Sequence, residues 1–124
     1  MPSDPQRVAV LGASPKPKRY SNMAVRLLRE HGHHVIPVHP ARDEIEGLPV
    51  ARHLDDIEGT VDTVTVYVSA AVSSKLEAAL VKLAPGRVIF NPGAENESLR
   101  ETLERNGIAT MEACTLVLLK TAQF

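Results

Sequence analysis

The residues best placed for chemistry stand at the end of the first apolar run. Arg7-Val-Ala-Val-Leu11 is followed by Gly12-Ala13-Ser14. A glycine directly after a strand lets backbone N–H groups come close to a phosphate. Ser14 and Ser21 add hydroxyls, and a helix beginning near Ser21 turns its N-terminus toward an anion. Lys16, Lys18 and Arg19 supply charge, and a guanidinium can grip phosphate in a bidentate way. From Pro5 to Arg29 there are six basic residues and no acid. The chemistry implied is anion binding. The pattern G-x-G-x-x-G is absent, because Gly12 is the lone glycine before Gly32. A NAD site also wants Asp or Glu after the second strand. Here that place holds Val38-His39-Pro40, then Arg42. A ligand with an extra phosphate fits this better than NAD. Gly-Lys-Ser/Thr does not occur, so no P-loop is present.

Three other places carry residue types capable of chemistry. Asn91-Pro92-Gly93 follows the fourth apolar run, where proline sets the turn and glycine permits close backbone approach. Cys114 ends the fifth run; a small buried residue is the common fate of such a cysteine, and a reactive thiol is the alternative. The five histidines do not show zinc-ligand spacing, and His31, His33 and His34 crowd around a helix end. No catalytic residue is assigned, with Cys114 the one candidate, and no metal ligand is assigned.

The elements that must position these residues alternate in type. Strands are read at Arg7–Leu11, His34–Val38, Asp62–Val68, Arg87–Phe90 and Ile108–Glu112. Helices are read at Asn22–His31, from Ser69 to Leu83, at Glu95–Asn106 and at Thr115–Thr121. The stretch 41–59 reads as irregular, with one helical turn at Leu54–Ile57. Five strands alternating with helices imply an α/β fold with a parallel sheet. With strand order 3-2-1-4-5 the order reverses between strands one and four, and the Gly12 and Asn91 loops face each other there. Pro37 is a misfit, since proline is kept out of central strands.

Composition sets the outer limits. A chain of 124 residues reads as one domain, 1–124, able to hold a core without staples. The formal net charge of −1 and four aromatic residues (two Phe, two Tyr) argue against nucleic acid. No apolar run spans a bilayer and no signal peptide is read. With one cysteine and no internal disulfide, the expected location is cytoplasmic. The third strand, read as an exposed edge, offers a homodimer contact.

Val10-Leu11-Gly12-Ala13-Ser14, Pro15, Arg19-Tyr20-Ser21 and Val35-Ile36-Pro37-Val38-His39-Pro40 together resemble the small CoA-binding domain proteins. These are similar to the N-terminal domain of the succinyl-CoA synthetase alpha subunit. The resemblance runs from about Arg7 to Leu119. It implies a Rossmann-like three-layer sandwich that binds coenzyme A or an acyl-CoA. By position it implies that Gly12, Ala13 and Ser14 contact the pantetheine and phosphate region. Lys18 adds charge to that loop, and Arg19, Tyr20 and Ser21 shape it. Val38 and Pro40 flank the adenine, with His39 between them on the ligand edge, and Arg42 pairs with a phosphate. Val68 and Ser69 line the opposite wall, and Asn91-Pro92-Gly93 takes the place of a Gln-x-Gly or Thr-x-Gly turn. His39, Asn91 and Glu112-Ala113 depart from the usual family residues.

Four functions follow from this reading. The first is a stand-alone CoA-binding module without its own catalytic machinery. The second is one component of an acyl-CoA ligase that needs a separate partner chain. The third is thiol exchange through Cys114. The fourth is a nucleotide or NAD(P) sensor, which the missing acid after strand two disfavours.

Overall fold

A computed structural model describes residues 4–124. Its main sheet has five parallel strands: β1 (Arg7–Leu11), β2 (His34–Val38), β5 (Thr63–Val66), β6 (Arg87–Phe90) and β7 (Ala109–Glu112). Two short strands, β3 (Glu44–Ile45) and β4 (Leu48–Pro49), make a small antiparallel hairpin. The helices are α1 (Tyr20–Glu30), α2 (Ala70–Ser74), α3 (Glu77–Leu83), α4 (Glu97–Arg105) and α5 (Thr115–Lys120). A 3-10 turn covers Leu54–Asp56, within the expected helical turn.

Alternation within the strands builds two cores. In β1, Val8 and Val10 face one side, where they pack with Val25 and Leu28 of α1 and Leu119 of α5. Ala9 and Leu11 face the other, joining Val64, Val66, Val88 and Phe90 under Leu80, Leu99 and Leu103. Each fully buried Leu or Val adds roughly 1.5–3 kcal/mol relative to exposure. The result is the expected α/β sandwich of helices on both faces of a parallel sheet.

The strand order is β2-β1-β5-β6-β7. Counted along the chain within this sheet it is 2-1-3-4-5, in place of the expected 3-2-1-4-5. Val8 pairs with Thr63 and Ala9 with Val64, so the third strand stands beside the first. The residues give the reason. Thr63, Val64, Thr65 and Val66 are all 0% exposed, as a central strand requires. Pro37 lacks an N–H, and its carbonyl turns outward to accept from the Ala51 amide at 2.9 Å. The missing donor therefore falls on the outer edge of the sheet, where proline is tolerated. The third strand has neighbours on both sides, so it has no open edge for the homodimer contact expected there.

Two further boundaries differ from the sequence reading. The helix expected from Ser69 to Leu83 is two helices, broken at Lys75-Leu76. The stretch 41–59 is more ordered than expected. Its hairpin turns at Glu46-Gly47, both with positive φ (53° and 75°), the geometry of a two-residue hairpin loop.

Candidate functional site

The order 2-1-3-4-5 moves the topological switch. The chain goes from β1 to β2 on one side, then returns past β1 to β5. The crevice therefore opens between the carboxyl ends of β1 and β5. Gly12 meets the Tyr67–Ser69 segment there, and not the Asn91 loop.

Gly12 forms the floor at this point. Its φ is +88°, and a Cβ built on it would lie 2.7 Å from Val68 Cγ1 and 3.3 Å from the Tyr67 carbonyl carbon. Glycine is thus required both by conformation and by space. The Gly12 and Ala13 amides both reach the Val38 carbonyl, at 3.3 and 3.2 Å, which ties the loop to the end of β2.

Above Gly12 lies a cleft of about 490 Å³. Leu11, Val38, Pro40, Leu54, Val68, Val72, Leu76 and Ala79 give it an apolar lining. Val72 is 45% exposed although it belongs to the apolar stripe of its helix. The break at Lys75-Leu76 accompanies this opening. Arg52, His53, Lys75 and Asp55 complete the lining. Arg52 is held by Asp43, with Nη2 at 2.7 Å and Nε at 3.2 Å from Oδ1.

The expected site residues divide into three groups. Gly12, Val38, Pro40 and Val68 line the cleft. Ala13, Ser14, Lys18, Arg19, Tyr20, Ser21, His39 and Ser69 stand on the same edge without lining it. Lys18 and Arg19 are exposed, as is Tyr20, while Ser21 is buried inside α1. Ser14 Oγ accepts from the Lys16 amide, and Ser69 Oγ caps α2 by accepting from Val72. His39 Nδ1 accepts from the Ala41 amide, which shapes the turn after β2. Arg42 is exposed and does not line the cleft, whereas Arg52 does.

Asn91, Pro92 and Gly93 form the third group. Asn91 is buried, and its side-chain amide is used inward. Nδ2 donates to Thr65 Oγ1 at 2.7 Å and to the Val66 carbonyl at 2.9 Å. Oδ1 accepts from the Thr115 amide at 2.9 Å. Pro92 and Gly93 are exposed beyond it. Cys114, half-buried, precedes α5 on this same part of the edge. Burial pushes the nearby Tyr67 hydroxyl up to about 12, so it remains a neutral phenol at neutral pH.

Arg52, His53 and Lys75 carry no mark in the sequence that sets them apart as site residues. The tertiary structure places them: Ala51 docks on Pro37 and His39, which carries Arg52-His53 to the end of β2. Among the described residues no group of three or more His, Cys, Asp or Glu side chains could hold a metal ion. Among them, too, no helix is long and apolar enough to cross a membrane.

The arrangement is a glycine, an apolar lining and a partly cationic rim at a topological switch. Residues 6–120 match the family model for the CoA binding domain. The chain belongs to the CoA-binding domain family. A crystal structure of an uncharacterized protein superposes with a TM-score of 0.92 at 40% identity, covering 98% of this chain and 100% of that one. YneT of Bacillus subtilis (strain 168) is 37% identical over 62 residues, which is 50% of this chain and 46% of that protein. The match thus spans about half of that curated relative. The acetyl-coenzyme A synthetase 1 of Ca. Korarchaeum cryptofilum has a TM-score of 0.77 at 22% identity, over 89% of this chain and 26% of that one. At that identity the likeness shows a shared fold. The CoA-binding domain here is therefore related in architecture to a region of a much larger synthetase.

Proposed function

We propose that this chain binds coenzyme A or an acyl-CoA in the cleft above Gly12. The observation that carries the reading is the combination of apolar walls and cations at the β1–β5 crevice. Coenzyme A needs both, having an adenine ring, a long pantetheine arm, a diphosphate and a 3′-phosphate. Val38, Pro40 and Leu54 suit the adenine, with Val68 and Val72 opposite. The Gly12–Ser14 loop, Lys18 and Arg19 suit the diphosphate, and Arg52 and Lys75 suit a further phosphate. In this reading Arg52 takes the role first expected of Arg42. His39 and Ser69 shape the turns at each side, and Asn91-Pro92-Gly93 supports the edge from behind. The chain's own residues bind and orient the ligand, and no group here is assigned a bond-breaking step.

Calorimetric titration with CoA, acetyl-CoA, NAD, NADP and ATP tests this. Binding of the CoA species alone supports the reading. Equal binding of ATP or NADP would make the site a general nucleotide sensor, and no binding would overturn it. A second reading is favoured by the likeness to the acetyl-coenzyme A synthetase. In it, the module presents CoA to a partner chain that supplies ligase chemistry. Copurification of a nucleotide-binding partner, with CoA-dependent acyl activation by the pair and not by either chain alone, is its test.

A further inference from the structure

The ligand loop is held from below by a small group of side chains that lie outside the cleft. Asn22 in α1 is 0% exposed, and its amide is fully engaged. Nδ2 donates to the Ser14 carbonyl at 2.9 Å and to Glu46 Oε2 at 3.1 Å. Oδ1 accepts from Arg26 Nε at 2.9 Å. Arg26 Nη2 then donates to the Pro17 carbonyl at 2.8 Å. Two carbonyls of the loop, Ser14 and Pro17, are thus tied to one buried amide and its arginine.

Glu46 supplies a second observation. It sits at φ +53°, the first position of a two-residue hairpin turn. That position favours Asn, Asp or Gly, and a glutamate there is strained. Strained residues persist where the surroundings over-determine them. Here the carboxylate reaches Asn22, 24 residues away in sequence, and the Glu46 carbonyl accepts from Arg29 Nη1 at 2.8 Å. The hairpin is thereby fastened to α1 at the point where α1 holds the loop.

We infer that Asn22, Arg26 and Glu46 are positioning residues, a latch that holds the Gly12–Arg19 loop in its ligand-binding shape before the ligand arrives. The inference rests on the coenzyme A reading for the ligand, and on the geometry alone for the latch. A loop ordered in advance loses less conformational freedom on binding, which raises affinity without a direct contact.

Glu46→Gly is the discriminating variant. Glycine adopts the turn without strain, so the fold is kept. On charge alone, removing a carboxylate near an anion site would tighten CoA binding. The latch requires the opposite, a dissociation constant raised about 3–5-fold. Arg26→Ala, at an exposed position, should raise it about 5–10-fold, and Asn22→Ala about 10-fold or more.

Hydrogen exchange in the ligand-free protein supplies a readout independent of CoA. The Lys16 amide bonds to Ser14 Oγ and the Arg19 amide to the Lys16 carbonyl. Both should exchange faster in Glu46→Gly and Arg26→Ala, while the Gly12 and Ala13 amides, held by Val38, should not change. Unchanged exchange at Lys16 and Arg19 overturns the latch whether or not CoA binds. Faster exchange with unaltered or tighter CoA binding overturns its role in positioning. A wild-type chain that binds no CoA overturns the coenzyme A reading instead, and with it the ligand assigned to the loop.

Discussion

The Gly12 and Asn91 loops begin alike and end differently. Both follow a buried parallel strand, both contain a glycine with φ near +90°, and both lie on the carboxyl edge of the sheet. At Gly12 the neighbouring strand end is that of β5, and the space above it opens into a cleft. At Asn91 the side chain turns inward and spends its amide on Thr65, Val66 and Thr115. Two turns of similar residue type thus differ by their distance from the topological switch. Where the chain reversal leaves a gap, the turn after a strand stays open to a cleft. Where the next connection covers it, a polar side chain such as Asn91 turns inward and holds the fold together.

The sharpest way to break this comparison is to fill both glycines. Gly12→Val should weaken CoA binding by about 100-fold, roughly 2.8 kcal/mol, because the side chain enters the space held by Val68. Gly93→Ala meets nothing within 4 Å. It should cost about 1–2 kcal/mol of stability for the positive φ and leave affinity within twofold. Calorimetry with parallel thermal melting separates the two effects, and equal losses of affinity would end the distinction.

The mirror experiment is Asn91→Ala. It strands the Thr115 amide in the core, at roughly 1–3 kcal/mol, and removes the bonds to the Val66 carbonyl and to the Thr65 hydroxyl, which keeps its partner Thr115 Oγ1, at about 0.5–1.5 kcal/mol each. Urea unfolding should show a total loss of about 2–4 kcal/mol, while the folded fraction still binds CoA normally. A selective loss of affinity would return Asn91 to the site.

Among the cations, Arg52→Ala and Lys75→Ala should each weaken binding about 5–10-fold, in line with the 1.5–3 kcal/mol range for charge-assisted hydrogen bonds, reduced by exposure. Arg42→Ala should change it less than twofold. The reverse ranking would restore Arg42 and move the phosphate outside the cleft.

The smallest expected effect lies at the opposite edge of the sheet. His33 is buried, its Nδ1 accepts from the Gln6 amide, and its ring packs on Phe124. Burial, then the charges of His31 and Arg87, hold its pKa below the usual 6.5. The folded state therefore binds fewer protons than the unfolded state below that pH. Stability should be level above about pH 7 and fall as the pH drops through 6.5 toward the lowered value. His33→Asn should flatten this dependence in denaturation midpoints between pH 5 and 8, with CoA affinity unmoved at neutral pH.

Much of this was legible in the residues. The β-branched runs at 7–11 and 63–66, the stops at Gly32, Pro85-Gly86 and Gly107, and the turn at Gly12 are local signals, and they marked five strands and their helices. The acid-free stretch from Pro5 to Arg29 includes the loop at Gly12, beside the cleft. Pro37 was the most informative residue and was at odds with the expected strand order. A proline inside a strand argues for a sheet edge, and β2 is that edge. Val72, Leu76 and Ala79 share one apolar stripe at helical spacing, and such a stripe looks the same in sequence whether it faces a sheet or a cleft.

The sequence by itself determined the five main strands, their parallel arrangement and the turn at Gly12, because these depend on period, propensity and turn geometry within a few residues. The tertiary structure alone decided which strand lies beside β1. Val8 finds Thr63 across 55 residues, and loop-closure entropy varies too slowly with length to choose between partners. That choice depends on which strands bury both faces and which tolerates an open edge. It then placed Val68 over Gly12, brought Arg52 to the cleft and left Asn91 in the core.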